Sequence, residues 1–322
     1  MPVPNNGQIV ANAWEAYVET DPVDNIYEDY WLFYQFSKGD GFKGVNGGRV
    51  INGPIVYALN TTVNSYTDTD TFPTTRVDVF DEFSYNWKEY VGTAVMSELE
   101  RAKNQGSGRK FDLQAAKLEN LRMTMRKVLN DDMFSDGTGN TSKAIGGLQL
   151  LISSTPTTGT VGGINRATFT FWRNQQTSGA QSATAFDNLR STMRSVYNLC
   201  GAGVASTHPT FAVTTRTVFE GYEGLLTTNE RYTDKKSGDA GFKNEVLKYK
   251  DIPIAYDKAA PTGNLYFINT EFIKLAYQKG YWFKGEPSVS PANQTIDVFK
   301  VMTIANLIST NPRRTGVVTA IT

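Results

Sequence analysis

FDLQAAKLENLRMTMRKVLNDDMFSDGTGN, residues 111–140, is the longest clean helical pattern in the chain. Phe111, Ala115, Leu118, Leu121, Met125, Val128, Leu129 and Met133 recur at steps of three and four. At about 100° per residue they cover an arc of roughly 140°, the width of one buried face. Glu119, Asn120, Thr124, Arg126, Lys127 and Asn130 point the other way. Asp112 can cap the first turn by accepting from its free amides, and Gly137 and Gly139 suit a left-handed C-terminal cap. The pattern predicts a helix from Leu113 to Phe134, about 33 Å long at ~1.5 Å per residue. Asp131 and Asp132 fall near its C-terminus, the unfavourable end of the helix dipole for a carboxylate. The stretch holds no His and no Cys, so its use must be read from its surroundings.

Upstream, residues 49–66 switch to a strand-like pattern, with Val50, Ile55, Val56, Tyr57, Leu59 and Val63 among Asn and Thr. SYTDTDTFPTT (65–75) is a polar turn region, and from Val77 the chain climbs back into alternation with Phe83, Tyr85 and Trp87. This predicts a long two-stranded ribbon with a polar tip. Such a ribbon is marginal alone in water, and a neighbouring molecule is one surface on which it could lie. Earlier still, residues 9–18 fit a short amphipathic helix. Residues 25–36 form a second helical run crowded with Tyr27, Tyr30, Trp31, Phe33, Tyr34 and Phe36. That run reads either as a core helix or as an arm packed on another subunit.

Residues 39–53 are glycine-rich, and Ser97 with Glu100 forms a capping-box signature. Downstream, 185–200 is a second strong helix, with Phe186, Leu189, Met193, Val196 and Cys200 on one face and Thr184 as cap. A strand at 211–214, a helix at 217–226, strands within 252–269 and a β-prone run at 298–308 follow, then a terminal strand, GVVTAI. The sum is an α+β architecture of short strands, two strong helices and one long excursion.

The chain has 322 residues, 40% hydrophobic and 20% charged, within the range of a folded protein of one large or two modest domains. Its 32 basic and 32 acidic residues cancel, which argues against binding nucleic acid through overall charge. Zero net charge also removes a guard against self-association. One Cys excludes an internal disulfide framework. No apolar run approaches ~18 residues, and the N-terminus lacks a secretory signal, so folding in a reducing cytosol is expected. Aromatic residues are abundant (16 Tyr, 18 Phe, 5 Trp), and aromatics are enriched at interfaces.

Catalytic chemistry has no foothold. His208, the single histidine, has no evident triad or zinc partners and reads as a solvent or turn residue before Pro209. Cys200 sits on an apolar helix face and reads as a small buried hydrophobe. Asp136-Gly-Thr-Gly-Asn140 resembles the middle of a calcium loop, yet the twelfth position is Gly147 rather than Glu. Asp68 and Asp70 at the ribbon tip read as solvated rather than as a divalent-ion site. No Gly-Lys-Ser/Thr ending follows the glycines at 137–147, so they are not a phosphate loop. The expectation is a non-enzyme with no cofactor and no metal.

Several stretches together resemble tailed-bacteriophage major capsid proteins: GGRVINGPIVYALNTTVNSY (47–66), FSDGTGN (134–140), TPTTGTVGGINRATFTFWRNQ (155–175), LYFINTEFIKLAY (265–277) and NLISTNPRRTGVV (306–318). The resemblance spans residues 40–320 and rests on their order and spacing. It implies the Hong Kong 97-type fold and a division of the chain: an N-terminal arm over 1–42 and an extended β-ribbon loop over 43–82. A peripheral domain over 83–144 would carry a spine helix at 111–134, an axial domain would cover 145–289, and 290–322 would return to the peripheral domain. It implies self-assembly into hexamers and pentamers of an icosahedral shell around double-stranded DNA, held by weak non-specific contact, in a virion assembled in the host bacterial cytoplasm. A portal and a decoration protein would be partners, with no membrane.

In one variant of that family a loop Lys bonds covalently to an Asn of a neighbouring subunit. No Lys occurs between Gly44 and Trp87 here, so a non-covalent shell is expected. The chain starts close to the loop, which makes a separate scaffolding protein the expectation. Arg49, Tyr57, Tyr66, Asp68, Asp70, Arg76, Arg313 and Arg314 are candidate intersubunit contacts; Arg126 and Lys127 are candidates for the shell interior or a neighbour's loop. Two alternatives stand beside this reading: an encapsulin-like nanocompartment shell, and a hydrolase or binding protein with an aromatic groove.

Overall fold

The computed structural model describes residues 30–104, 113–181, 189–201, 207–225, 247–250 and 252–321. The expected helix at 9–18 and the caps Asp112 and Thr184 lie outside these residues. In chain order the elements begin with helix α1 (Trp31–Lys38) and strands β1 (Phe42–Val45), β2 (Val50–Val56), β3 (Phe80–Asn86) and β4 (Lys88–Ser97). Helices α2 (Glu98–Lys103) and α3 (Leu113–Met133) come next, then β5 (Thr160–Val161), β6 (Ile164–Asn165) and β7 (Gln175–Gln181). Helix α4 (Leu189–Cys200), β8 (Phe211–Thr214) and helix α5 (Arg216–Leu225) lead to β9 (Leu247–Tyr249), β10 (Ile252–Tyr256), β11 (Leu265–Ile268), β12 (Ile273–Gln278) and β13 (Lys284–Val289). The chain closes with β14 (Ile296–Ser309) and β15 (Gly316–Ile321).

The chain divides into two compact units. The first contains, among the described residues, 90–104, 113–128 and 283–303. Here β13 runs antiparallel to the first part of β14, from Lys284 opposite Met302 to Val289 opposite Val298, and β4 also pairs with β14. One face of β4 meets α3: a Cβ on Gly92 would lie 2.7 Å from Leu121 Cδ1, so glycine allows strand and helix to approach closely. The capping box is present. The Ser97 hydroxyl accepts from the Glu100 amide, and the Glu100 carboxylate accepts from the Ser97 amide. Glu100 also pairs with Lys117 of α3 at 2.7 Å, and Arg101 with the buried Asp297 at 3.0 Å.

The second unit holds the remaining described residues. Its larger sheet has the order β7-β15-β11-β8-β10-β9, and its strands β8 and β11 are buried along their whole lengths. Leu189, Met193, Val196 and Cys200 of α4 pack into the same core as Val218, Phe219 and Tyr222 of α5. A second group joins β1, β12 and the last part of β14, with Ile273 opposite Ser309 and Phe42 opposite Leu275. The ribbon is the antiparallel pair β2–β3, from Val50 opposite Asn86 to Val56 opposite Phe80.

Several expectations are corrected. The ribbon is paired over seven residues per strand, and residues 57–79 beyond it form no further strand. Asn, Asp and Pro there are poor strand formers, and the Tyr57 amide donating to the Val79 carbonyl at 3.1 Å continues the ribbon by one bond. On α3, Ala115 and Val128 are exposed, whereas Met125, Leu129 and Met133 are buried. Asn130, assigned to the polar face, is only 2% exposed. Within residues 290–322, β14 runs in the five-stranded sheet and β15 lies between β7 and β11 in the six-stranded one. Of the run 25–36, the described part is a core helix. Trp31 and Phe36 both pack edge-on to Phe211, and Phe33 stacks on Trp282.

Candidate functional site

The features that could act lie on surfaces rather than in a cleft, and the ribbon is the clearest. Its base is buried in its own subunit. Ile51, Phe83 and Tyr85 point inward by the period-two rule. Phe83 stacks on Trp172 at 6.2 Å and fills the space that a Cβ on Gly53 would occupy. The Tyr85 hydroxyl donates to the Ser309 carbonyl at 3.1 Å, and burial pushes its pKa up. Below lies the VGGI hairpin, β5 and β6, whose two glycines both have positive φ (58° and 81°). That is the backbone a two-residue turn of this hand requires. A Cβ on Gly162 would also strike the Tyr85 ring.

The same segment holds the one arginine that is buried among the described residues. Arg166 is 1% exposed and donates to the carbonyls of Leu150 and Leu151, at the end of a helical turn. Burial lowers its pKa to about 10. The sequence signal for this hairpin is the Gly-Gly pair between Val161 and Ile164.

Beyond the ribbon, the loop reverses this character. Val56, Leu59, Val63, Phe72 and Phe80 are exposed, Leu59 at 87% and Val63 at 79%. Small local contacts hold the tip. Tyr66 donates to the Thr62 carbonyl at 2.8 Å and meets Phe72 edge-on, and Asp70 accepts from the Thr67 amide at 2.8 Å. Those hydrogen bonds hold the Asp70 carboxyl below its usual pKa. Tyr57 stacks on Phe171 at 5.4 Å, so one face of its ring is already covered. Arg49, Asp68 and Arg76 are exposed.

The remaining candidates scatter. Arg126 lies with its guanidinium 5.9 Å from the Phe283 ring and 3.8 Å from Glu119, a carboxylate it shares with Arg122. Lys127 is half-buried. Arg313 is exposed, but Arg314 donates to the carbonyl of Cys200 at the C-terminus of α4, where a cation suits the helix dipole. Cys200 is buried, and burial pushes its thiol up to about 12. His208 is not a solvent histidine. It stacks on Tyr197 at 4.4 Å, its Nδ1 lies 3.2 Å from the Tyr197 carbonyl, and a Cβ on Gly201 would overlap its ring.

The spine's end is built locally. A Cβ on Gly147 would lie 2.4 Å from the Asp132 carbonyl, so only glycine lets the IGGL segment close against the last turn of α3. Gly137 has φ 81°, but the other left-handed residues are Asn140, Thr141 and Ser142, not Gly139. Asp136 accepts from both the amide and the hydroxyl of Thr138, a turn that depresses its pKa and engages the carboxylate that a calcium loop would need.

One contact had no signature. Asp257 is 3% exposed and accepts from the Leu32 amide and from the Asn130 side chain; Asn130 in turn accepts from the Phe33 amide at 3.2 Å. Together they cap the first turn of α1, whose own N-cap residue, Tyr30, makes no side-chain cap. Burial raises the Asp257 pKa, against the opposing pull of these hydrogen bonds.

The family model described as SU10 major capsid protein matches residues 58–321. No curated protein matches the sequence. Among solved structures, the capsid of cyanophage A-1(L) superposes with a TM-score of 0.68 at 15% identity, covering 95% of this chain and 97% of that one. The capsid of the native GTA particle gives 0.67 at 9%, covering 99% and 100%. The SrpI encapsulin of Synechococcus elongatus PCC 7942 gives 0.60 at 10%, covering 100% and 96%. These likenesses establish the shared Hong Kong 97-type fold.

Proposed function

The chain belongs to the SU10 major capsid protein family, a structural component of the virion shell, and from that premise we propose that its copies assemble as hexamers and pentamers around double-stranded DNA. The carrying observation is the loop beyond the ribbon, which exposes Leu59, Val63 and Phe72 to water in the isolated subunit. Three large apolar side chains exposed on one loop are a candidate interaction surface, and a repeated contact between copies would cover them. The encapsulin shares the fold, but the family match runs to capsid proteins, which favours the viral reading over a nanocompartment. Electron micrographs of particles containing this chain test it. Shells or capsomer rings are expected, and a stable 36 kDa monomer would refute assembly. Nuclease-protected DNA inside native particles tests the cargo.

Within this proposal, 1–42 serves as arm, 43–82 as extended loop, 83–144 as peripheral domain, 145–289 as axial domain and 290–322 as the return segment. The division of 290–322 between two sheets qualifies that last assignment. Arg49, Tyr57, Tyr66, Asp68, Asp70, Arg76, Arg313 and Arg314 contribute contacts between subunits, with Arg314 shared with its bond to Cys200. Arg126 and Lys127 face the interior or a neighbour's loop. Normal particle yield after Arg→Ala at 49, 76, 313 and 314 would discard those arginine contacts. Assembly takes place in the host cytoplasm with separate scaffolding and portal proteins, and decoration protein can follow. With no Lys from Gly44 to Trp87, the shell is non-covalent; a ladder of linked subunits on denaturing gels of mature particles contradicts that.

A further inference from the structure

The chain is neutral overall, with 32 basic and 32 acidic residues, yet one region segregates cations. Helix α4 contains Arg190 and Arg194 and no carboxylate. The same holds for its surroundings: among the described residues, 175–181, 207–210, 247–250 and 312–321 contain no Asp or Glu, but do contain Lys248, Lys250, Arg313 and Arg314. Helix α5 carries two carboxylates, Glu220, engaged by Arg216 at 2.7 Å, and the half-buried Glu223.

Arg190, Arg194 and Asn198 follow one another at i, i+4 and i+8, so they form a stripe along one face, with steps of about 6 Å. Both arginines are exposed. Lys250 completes the stripe: its Nζ bonds Asn198 Oδ1 at 3.0 Å and lies 4.6 Å from the Tyr197 ring centre. The ring is rigid because His208 stacks on its other face. Tyr249 packs edge-on to Tyr197, and the charges of Arg194 and Arg190 bear on its hydroxyl. Lys250 is thus held in place rather than free to fold away, which lowers the entropy lost when it engages an anion.

We propose that the Arg190–Arg194–Lys250 stripe binds the phosphodiester backbone of nucleic acid without sequence preference. The inference rests on the reading of the protein as a shell around DNA and names the surface that meets it. A row of cations about 6 Å apart suits a polymer that carries regularly spaced charges. The alternative occupant is the loop of a second copy, which carries Asp68, Asp70, Asp78, Asp81 and Glu82 against Arg76. That loop also presents Leu59, Val63 and Phe72 and needs an apolar seat, whereas α4 exposes one large apolar side chain, Leu199. The phosphate backbone fits better.

The test compares the full chain with R190Q/R194Q/K250Q by anisotropy of a fluorescent random-sequence 30-bp duplex across a NaCl series. Each lost phosphate contact reduces the slope of log affinity against log salt by about 0.9, so the triple variant should be shallower by about 2.7. R190K/R194K retains the charges and should keep the parental slope, which separates charge loss from misfolding. An unchanged slope in the triple variant, or no measurable affinity in the parent, overturns the proposal. So does loss of shells in micrographs at an unchanged slope, the mark of a protein partner. If the parent binds DNA through this stripe but forms no shells, the shell reading falls and this site stands; if it forms shells and the triple variant binds as before, this site alone falls.

Discussion

The two ends of one ribbon behave as different materials. At its base, Phe83 and Tyr85 are 4% and 7% exposed and meet Trp172, Gly162 and Ser309 of their own subunit. Past Val56 the chain keeps apolar residues that stand in water, Leu59 at 87% exposed. Burial gives out before pairing does, since the last pair, Val56 and Phe80, is already exposed. The comparison teaches that this ribbon is anchored at one end within its own subunit and open to water at the other.

The strongest way to break that comparison is Trp172→Ala. Trp172 is 2% exposed, stacks on Phe83 and donates to the Val161 carbonyl at 2.8 Å. Its loss should cost about 3–5 kcal/mol, seen as a large fall in the denaturation midpoint of the unassembled chain; a shift equivalent to under ~1 kcal/mol would mean that the base is no anchor. Tyr85→Phe removes only the hydroxyl that reaches Ser309, and about 1–2 kcal/mol is expected from the same measurement.

Asp257→Asn asks whether the cap on α1 depends on charge. A carboxyl with a raised folded pKa binds its proton more tightly when folded, so its contribution to stability is greatest at low pH. That contribution is lost as pH rises from about 4, the unfolded value, through the raised folded one. Denaturation of the parent should therefore show this trend and the Asn variant a flatter one in that window; identical profiles would assign the pH dependence elsewhere. The smallest change in subunit stability should come from the tip. Replacing Leu59, Val63 and Phe72 by Ser should leave the denaturation midpoint within ~0.5 kcal/mol of the parent while particle yield in micrographs collapses. Equal yield would remove the loop from the assembly contact.

Much of this was legible in the sequence because it is local. The 3.6-residue period marked α3, the Ser97–Glu100 spacing marked the start of α2, and alternation marked β3. Five ordered segments sufficed to point to the capsid family, which matches over 58–321. The ribbon's true length was not legible, because residues 57–79 carry a strand-like pattern yet form no strand. The basic stripe was hidden too: Arg190 and Arg194 are visible as a helical pair, but Lys250 joins them only through the fold, and the chain's zero net charge pointed away from any such surface.

By itself, then, the sequence determined the main helices, several strands and the family, since those depend on contacts within a few residues. Only the tertiary structure decided that Asp257 and Asn130 cap a helix 225 and 97 residues away, that β15 enters the six-stranded sheet, and that one end of the ribbon is buried and the other open. The physical reason is the same in each case. A buried amide, an unpaired strand edge or an apolar side chain takes whichever partner the folded chain brings near, and sequence spacing carries no record of which partner that will be.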